Sequence, residues 1–167
     1  FSIASLLPRE TSTVHTLGLM EGTLTHISPE QTGRMNRGID YRTDYYSLGV
    51  TLYELLTGHL PFEAQIPMEL IYSHMARQPP PIQHWNPSVP TAVSEIVSQL
   101  MAKNPEDRYQ SAMGLKHDLE RCRAQLQQTG TIASFPLGQR DISDRFLIPE
   151  KLYGRGSEVA TLLNAFE

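Results

Sequence analysis

The stretch from Thr43 to Pro61 constrains this chain more than any other. Leu48, Leu52, Leu55 and Leu56 follow Thr43 and Asp44 at helical spacing, and Gly58 and Pro61 stop the run. Another side of the same helix carries Tyr46, Val50 and Tyr53. A helix that is apolar on more than one side needs cover from several directions and belongs in the middle of a domain. The pattern predicts a helix over 44–57, with Thr43 or Asp44 as its N-cap.

Prolines punctuate the chain beyond this helix. Pro67 opens a predicted helix over 67–77, with Leu70, Ile71 and Met75 as its stripe; Pro79, Pro80 and Pro81 end it and force an extended segment. Pro90 opens a third over 90–103, faced by Val93, Ile96, Val97, Leu100 and Met101, and Asn104-Pro105 closes it. Ser111 caps a fourth over 112–127, with Leu115, Leu119, Cys122 and Leu126 on one stripe. There is no convincing strand, so the expected fold class is mainly α. Residues 1–40 are rich in Thr, Ser and Gly and read as a long loop with one short helix. Residues 127–150 read as an interdomain linker. From Gly154 a last helical pattern, Val159, Leu162, Leu163 and Phe166, runs into the final residue. An apolar face cut off in this way is expected of the truncated start of a second domain, 151–167.

Charge and composition remove several function classes. Lys and Arg number 14 against 18 Asp and Glu, a net charge of −4, which argues against electrostatic binding of nucleic acid. Cys122 is the single cysteine, so no internal disulfide exists, and a reducing, cytoplasmic compartment is expected. Its place on the fourth apolar stripe suits a core residue. No apolar run approaches the roughly 18 residues of a membrane-spanning helix. His15, His26, His59, His74, His84 and His117 show no ligand spacing with one another or with Cys122, so no metal site is expected. Trp85, between a proline tract and Asn86-Pro87, reads as a packing anchor for its loop, with a surface anchor for a partner as the other reading.

Four elements then stand in order. They are Gly22-Thr23-Leu24-Thr25-His26-Ile27-Ser28-Pro29-Glu30, Asp44-Tyr45-Tyr46-Ser47-Leu48-Gly49, Leu55 to Phe62, and Asn104-Pro105-Glu106-Asp107-Arg108-Tyr109. Over residues 1–126 this order resembles the C-terminal lobe of a eukaryotic-type Ser/Thr protein kinase. Ser28-Pro29-Glu30 matches the family's Ala-Pro-Glu element with Ser for Ala. Asp44 to Gly49 matches Asp-x-Trp-Ser-Leu-Gly with Tyr46 in the Trp position. Phe1-Ser2 looks like the end of Asp-Phe-Gly, whose metal-binding Asp would precede Phe1, and residues 3–27 then resemble the activation loop.

The resemblance implies roles residue by residue. Thr23 would hydrogen-bond the catalytic Asp and position the acceptor hydroxyl; an ordinary turn threonine is the other reading. Glu30 and Arg108 would form a buried structural ion pair. Asp44 would accept backbone N–H groups of the catalytic loop or simply cap the first helix. Thr11, Ser12, Thr13 and Thr16 are candidate activation-loop phosphosites, and solvated loop hydroxyls are the plainer reading of each. His26 replaces an aromatic Tyr common in this loop.

Equally telling are the parts not found. Phosphoryl transfer needs cradled phosphates, metal charge on them and an Asp orienting the acceptor. The sequence has no Gly-x-Gly-x-x-Gly, no Val-Ala-Ile-Lys strand and no Gly-x-x-x-x-Gly-Lys-[Ser/Thr] loop. Gln139-Arg140-Asp141 mimics part of His-Arg-Asp but has Phe146 where the metal-binding Asn should be, and reads as a linker turn. ATP and Mg2+ are therefore expected to serve a full-length parent and not to bind this chain, which holds no catalytic or cofactor-binding residue. The parent would phosphorylate Ser/Thr hydroxyls of a protein substrate. A non-catalytic, pseudokinase-like interaction module is the alternative. Phe146-Leu147-Ile148-Pro149 and Leu152-Tyr153-Gly154-Arg155 resemble the entry to an AAA-type ATPase module. Together with the kinase-like part, that is similar to bacterial multi-domain sensor kinases. The expected partners are thus the protein substrate, the missing N-terminal lobe and catalytic loop, and the downstream ATPase-like domain.

Overall fold

A computed structural model describes residues 24–35 and 38–142. Those residues form helices and no strand. The helices are α1 (Arg42–Thr57), α2 (Pro67–Ala76), α3 (Ile82–Trp85), α4 (Thr91–Leu100) and α5 (Ala112–Thr129). Single 3-10 turns at Leu24–His26, Glu30–Thr32 and Pro105–Asp107 punctuate the loops.

Helix α1 is central, packed on α3, α4 and the Leu24–His26 turn. Its buried face is Tyr46, Gly49, Val50 and Tyr53, the opposite choice from its leucine stripe. Leu48 is 39% exposed and Leu55 76%, while Leu52 and Leu56 are half-buried. The reason is Gly49. A Cβ there would sit 2.9 Å from Leu100 Cβ and 2.7 Å from Met101 Cγ, so only glycine lets α4 approach on this side. Tyr46, Val50 and Tyr53 then join Phe62, Leu70, Ile82, Val97 and Met101 in one core cluster. Gly49→Ala is expected to destabilise the fold by up to about 3 kcal/mol: overpacking costs about 1–3, less up to about 1 regained in helix propensity. The urea midpoint would report it.

The N-cap expectation is corrected. Helix α1 starts at Arg42 after Tyr41, which makes no side-chain cap. The first turn is served by Asp40, whose Oδ1 accepts from the Arg42 main-chain N at 2.9 Å. Thr43 is buried and spends its hydroxyl elsewhere; Asp44 is exposed in the first turn, where a negative charge suits the helix dipole.

Helix α2 ends at Ala76 and buries Leu70, Ile71, Ser73 and His74, with Met75 only half-buried. The proline tract is not simply extended: after Pro81 a single turn, α3, buries Ile82. Pro81 at the N-cap was the available signal, since its missing N–H is not needed at a helix start. Asn86 then ties α3 to α1 through Nδ2 and the Leu56 carbonyl, 3.0 Å. Trp85 remains 43% exposed and stacks on His59, ring centroids 4.0 Å apart. Helix α4 stops at Leu100, three residues before the predicted end, and Met101 is buried as its C-cap.

Ser111 caps α5, its Oγ accepting from the Gly114 N–H at 3.0 Å. The buried face is Gly114, Leu115, Asp118 and Cys122, whereas Leu119 and Leu126 are exposed. The stripe is shifted because residues 131–142 run back along the helix. Phe135 is buried there beneath the Arg121 guanidinium, 4.3 Å from the ring centroid, and joins Ala92, Ile96, Leu100, Tyr109, Leu115 and Cys122 in a second cluster. Burial pushes the Cys122 thiol pKa up, and the nearby Asp118 carboxylate adds to the effect.

Candidate functional site

The site grows from the loop that ends in Ser28-Pro29-Glu30. Pro29 has helical backbone angles, and the turn behind it closes with the Gln31, Thr32 and Gly33 amides bonding the Ser28, Pro29 and Glu30 carbonyls. Gly33, at φ 66°, reverses the chain in the left-handed region that glycine tolerates. This turn aims the Glu30 carboxylate inward.

Arg108 meets it from 78 residues further along. Its Nη1 donates to Glu30 Oε1 at 2.6 Å and its Nη2 to Oε2 at 2.8 Å, the planar fork-to-fork geometry in which arginine binds a carboxylate most tightly. Both side chains are fully buried. The remaining guanidinium hydrogens reach the Ala102, Lys103 and Arg42 carbonyls at 2.8–3.2 Å, and the plane lies over Tyr46 at 5.0 Å. Thr43 Oγ1 donates to the same Glu30 oxygen at 2.8 Å. Burial alone would raise the Glu30 carboxyl pKa. The Arg108 hydrogen bonds and charge outweigh it and hold the group below its ordinary value.

A second polar cluster lies on the far side of Tyr46. Its hydroxyl and His74 Nδ1 are 3.0 Å apart, and His74 is fully buried against the edge of Phe62. Lys103 Nζ donates to the His74 and Ser73 carbonyls at the end of α2 and sits 4.6 Å from the Phe62 centroid. Burial, then the Lys103 charge, lowers the His74 pKa to about 4; burial, then the Arg108 charge, lowers Lys103 to about 8.

Of the residues singled out in the sequence, the structure brings Glu30 and Arg108 together and leaves Asp44 apart from them at the surface. Thr23, Thr11, Ser12, Thr13 and Thr16 lie outside the described residues. His26 stands 3.5 Å from Glu54 through Nε2 and 2.9 Å from Thr25 Oγ1, and its carbonyl accepts from Ser47. Arg42, Gln110, His74 and Lys103 carried no motif signal, because their partners are main-chain carbonyls and distant side chains.

Among the described residues, no group of three or more His, Cys, Asp or Glu is placed to hold a metal ion. A shallow hollow of about 290 Å3 lies on α5, lined by Ala112, Leu115, Lys116, Leu119, Glu120 and Arg123, with no glycine-rich backbone to cradle phosphates. What the site can do is hold a loop in place. Glu30 and Arg108 bond each other, and Lys103 bonds the Ser73 and His74 carbonyls.

Residues 1–119 match the protein kinase domain family, and this chain belongs to it. Similar proteins include hybrid signal transduction histidine kinase G of Dictyostelium discoideum, 41% identical over 87% of this chain and 5% of that protein. Serine/threonine-protein kinase PksC of Streptomyces coelicolor is 38% identical over 66% of the chain and 19% of its own length. Serine/threonine-protein kinase PknB of Mycobacterium leprae is 37% identical over 72% of the chain and 19% of its length. The chain thus spans from 5% to 19% of these relatives.

Proposed function

We propose that this chain is the substrate-docking half of a Ser/Thr protein kinase: the C-terminal lobe from the activation loop onward, over residues 1–126. The observation that carries the reading is the Glu30–Arg108 pair, which joins two motifs of the kinase-like order in one buried, doubly bonded contact. In this reading the pair ties the docking loop to the later helices, Thr23 positions the acceptor hydroxyl, and Asp44, exposed in the first turn of α1, receives backbone amides of the catalytic loop. Thr11, Ser12, Thr13 and Thr16 are its candidate activation-loop phosphosites. The partner is a protein substrate, in the cytoplasm.

The nucleotide half is supplied from outside these residues. The transferred phosphoryl group is stabilised almost wholly by positioning and by charge on its oxygens. The glycine-rich loop, strand Lys, metal-binding Asp and Asn and catalytic Asp that do this are not in the sequence. Residues 127–150 link the lobe to an AAA-type ATPase-like module beginning at 151. Similarity to the Dictyostelium kinase over 87% of the chain supports a multi-domain signalling parent, since it must extend past the kinase family match at 119 into residues 127–150.

The purified 167-residue chain is expected to label neither itself nor a generic protein substrate with the γ-phosphate of ATP, and to bind no magnesium-nucleotide. An intact Ser/Thr kinase added in trans is expected to label it at Thr11, Ser12, Thr13 or Thr16. Turnover by the chain above a blank, lost on mutating Thr23, would overturn the docking-half reading.

A further inference from the structure

We propose that Asp141 is a positioning residue, a latch through which residues 131–142 bias the docking-loop anchor at Glu30. The inference stands on the contacts alone and holds whether or not the chain serves phosphoryl transfer.

Residues 131–142 grip the main chain at Gln110 and Ser111. The Asp141 carboxylate accepts from the Gln110 main-chain N–H at 2.7 Å, the Ser111 N–H at 2.7 Å and the Ser111 hydroxyl at 2.8 Å. Three donors on one ionised carboxylate make a strong local clamp. A second grip lies one residue nearer Arg108. The buried Asp118 Oδ2 accepts both the Tyr109 hydroxyl and the Gly138 N–H, each at 2.8 Å.

Gln110 converts the clamp on its main chain into a hold on the ion pair. Its Nε2 donates to the Arg108 carbonyl at 2.6 Å and the Pro105 carbonyl at 3.0 Å, and its Oε1 accepts from Arg42 Nη1 at 2.9 Å. Arg42 is fixed in turn by Asp40, bonded at 2.7–3.1 Å through Nε and Nη2. The Arg42 carbonyl accepts from Arg108 Nη1, the nitrogen that also binds Glu30. Each contact from Asp141 to Glu30 is a direct hydrogen bond, half-buried from Asp141 to Arg42 and fully buried from Arg42 to Glu30. Moving the segment therefore requires the Gln110 side chain and both arginines to move with it. A contiguous network of this kind can carry coupling between sites, and double-mutant cycles are its proper test.

Gly114 offers a way to open the latch without removing a polar group, because a Cβ there would crowd the Asp141 Oδ1, Cβ and Cα directly. A Cβ there would meet the Asp141 Cα at 2.7 Å, so Gly114→Ala expels the segment by contact alone. Hydrogen exchange on the full-length protein reads the outcome at the Gln31, Thr32 and Gly33 amides, which close the docking-loop turn, with the Gly138 amide as monitor of the segment. Asp141→Ala and Gly114→Ala are both expected to speed exchange at Gly138 and, by about tenfold, at Gln31–Gly33, with Val50 and Ile96 unchanged. Gln110→Ala alone should speed Gln31–Gly33 and leave Gly138 protected; in that background neither latch variant should add a further increase. A freed Gly138 with Gln31–Gly33 unchanged, or full additivity with Gln110→Ala, would overturn the proposal. If the two latch variants fail to fold, Gln110→Ala decides: unaltered exchange at Gln31–Gly33 overturns it.

Discussion

Replacing Glu30 by alanine is expected to lower the unfolding free energy by about 3–5 kcal/mol, the usual cost of leaving one member of a buried ion pair alone. Arg108→Leu should cost a similar amount, because the buried Glu30 carboxylate would lose its counter-charge and both of its Arg108 hydrogen bonds. The two losses should not add. Once one charge is gone the other is the main penalty, so Glu30→Leu combined with Arg108→Leu should recover much of the loss. Urea denaturation at pH 7, with the slope checked for two-state behaviour, measures the parent and each variant. Additive losses in the double variant would show that the pair is not the energetic unit its geometry implies. The acid limb has a definite sign. The Glu30 pKa is lowered in the fold, so its contribution is complete above the unfolded value near 4.5 and disappears as pH falls through the folded one.

A second large effect belongs to His74. The folded ring titrates near about 4 and an unfolded histidine near 6.5, so below 6.5 the unfolded chain binds a proton that the folded one refuses. Stability is complete above pH 6.5 and is expected to fall by about 3 kcal/mol between 6.5 and 4, at about 1.4 kcal/mol per unit. Lys103, near about 8, stays charged throughout that window, and Glu30 acts only at its acid end. His74→Phe removes the titrating ring while keeping an aromatic against Phe62. It should be less stable at pH 7.5, having lost the Tyr46 hydroxyl contact, yet nearly flat from 7 to 5. Equal slopes in the variant and the parent over that range would remove His74 as the cause.

The local text of the chain was sufficient for a good deal of this. Proline and glycine mark helix ends by backbone geometry, and Ser111 caps by its own hydroxyl, so α1, α2, α4 and α5 were legible where these residues stand. The order of Ser28-Pro29-Glu30, Asp44–Gly49 and Asn104–Tyr109 was enough to suggest a kinase-like organisation, because those motifs are short and contiguous. Periodicity could not choose between the two apolar sides of α1. Both sides satisfy the same 3.6-residue rule, and the choice fell to Gly49, whose missing Cβ matters only once α4 lies against it. The same holds for α5. Leu119 and Leu126 were as apolar as Leu115, but residues 131–142 fold back over the Asp118 side and leave the other side to solvent. The relay from Asp141 through Gln110 to Glu30 had no sequence signature. Hydrogen bonds to main-chain groups leave no motif in the sequence, and partners 31 and 68 positions apart become neighbours only when the helices pack.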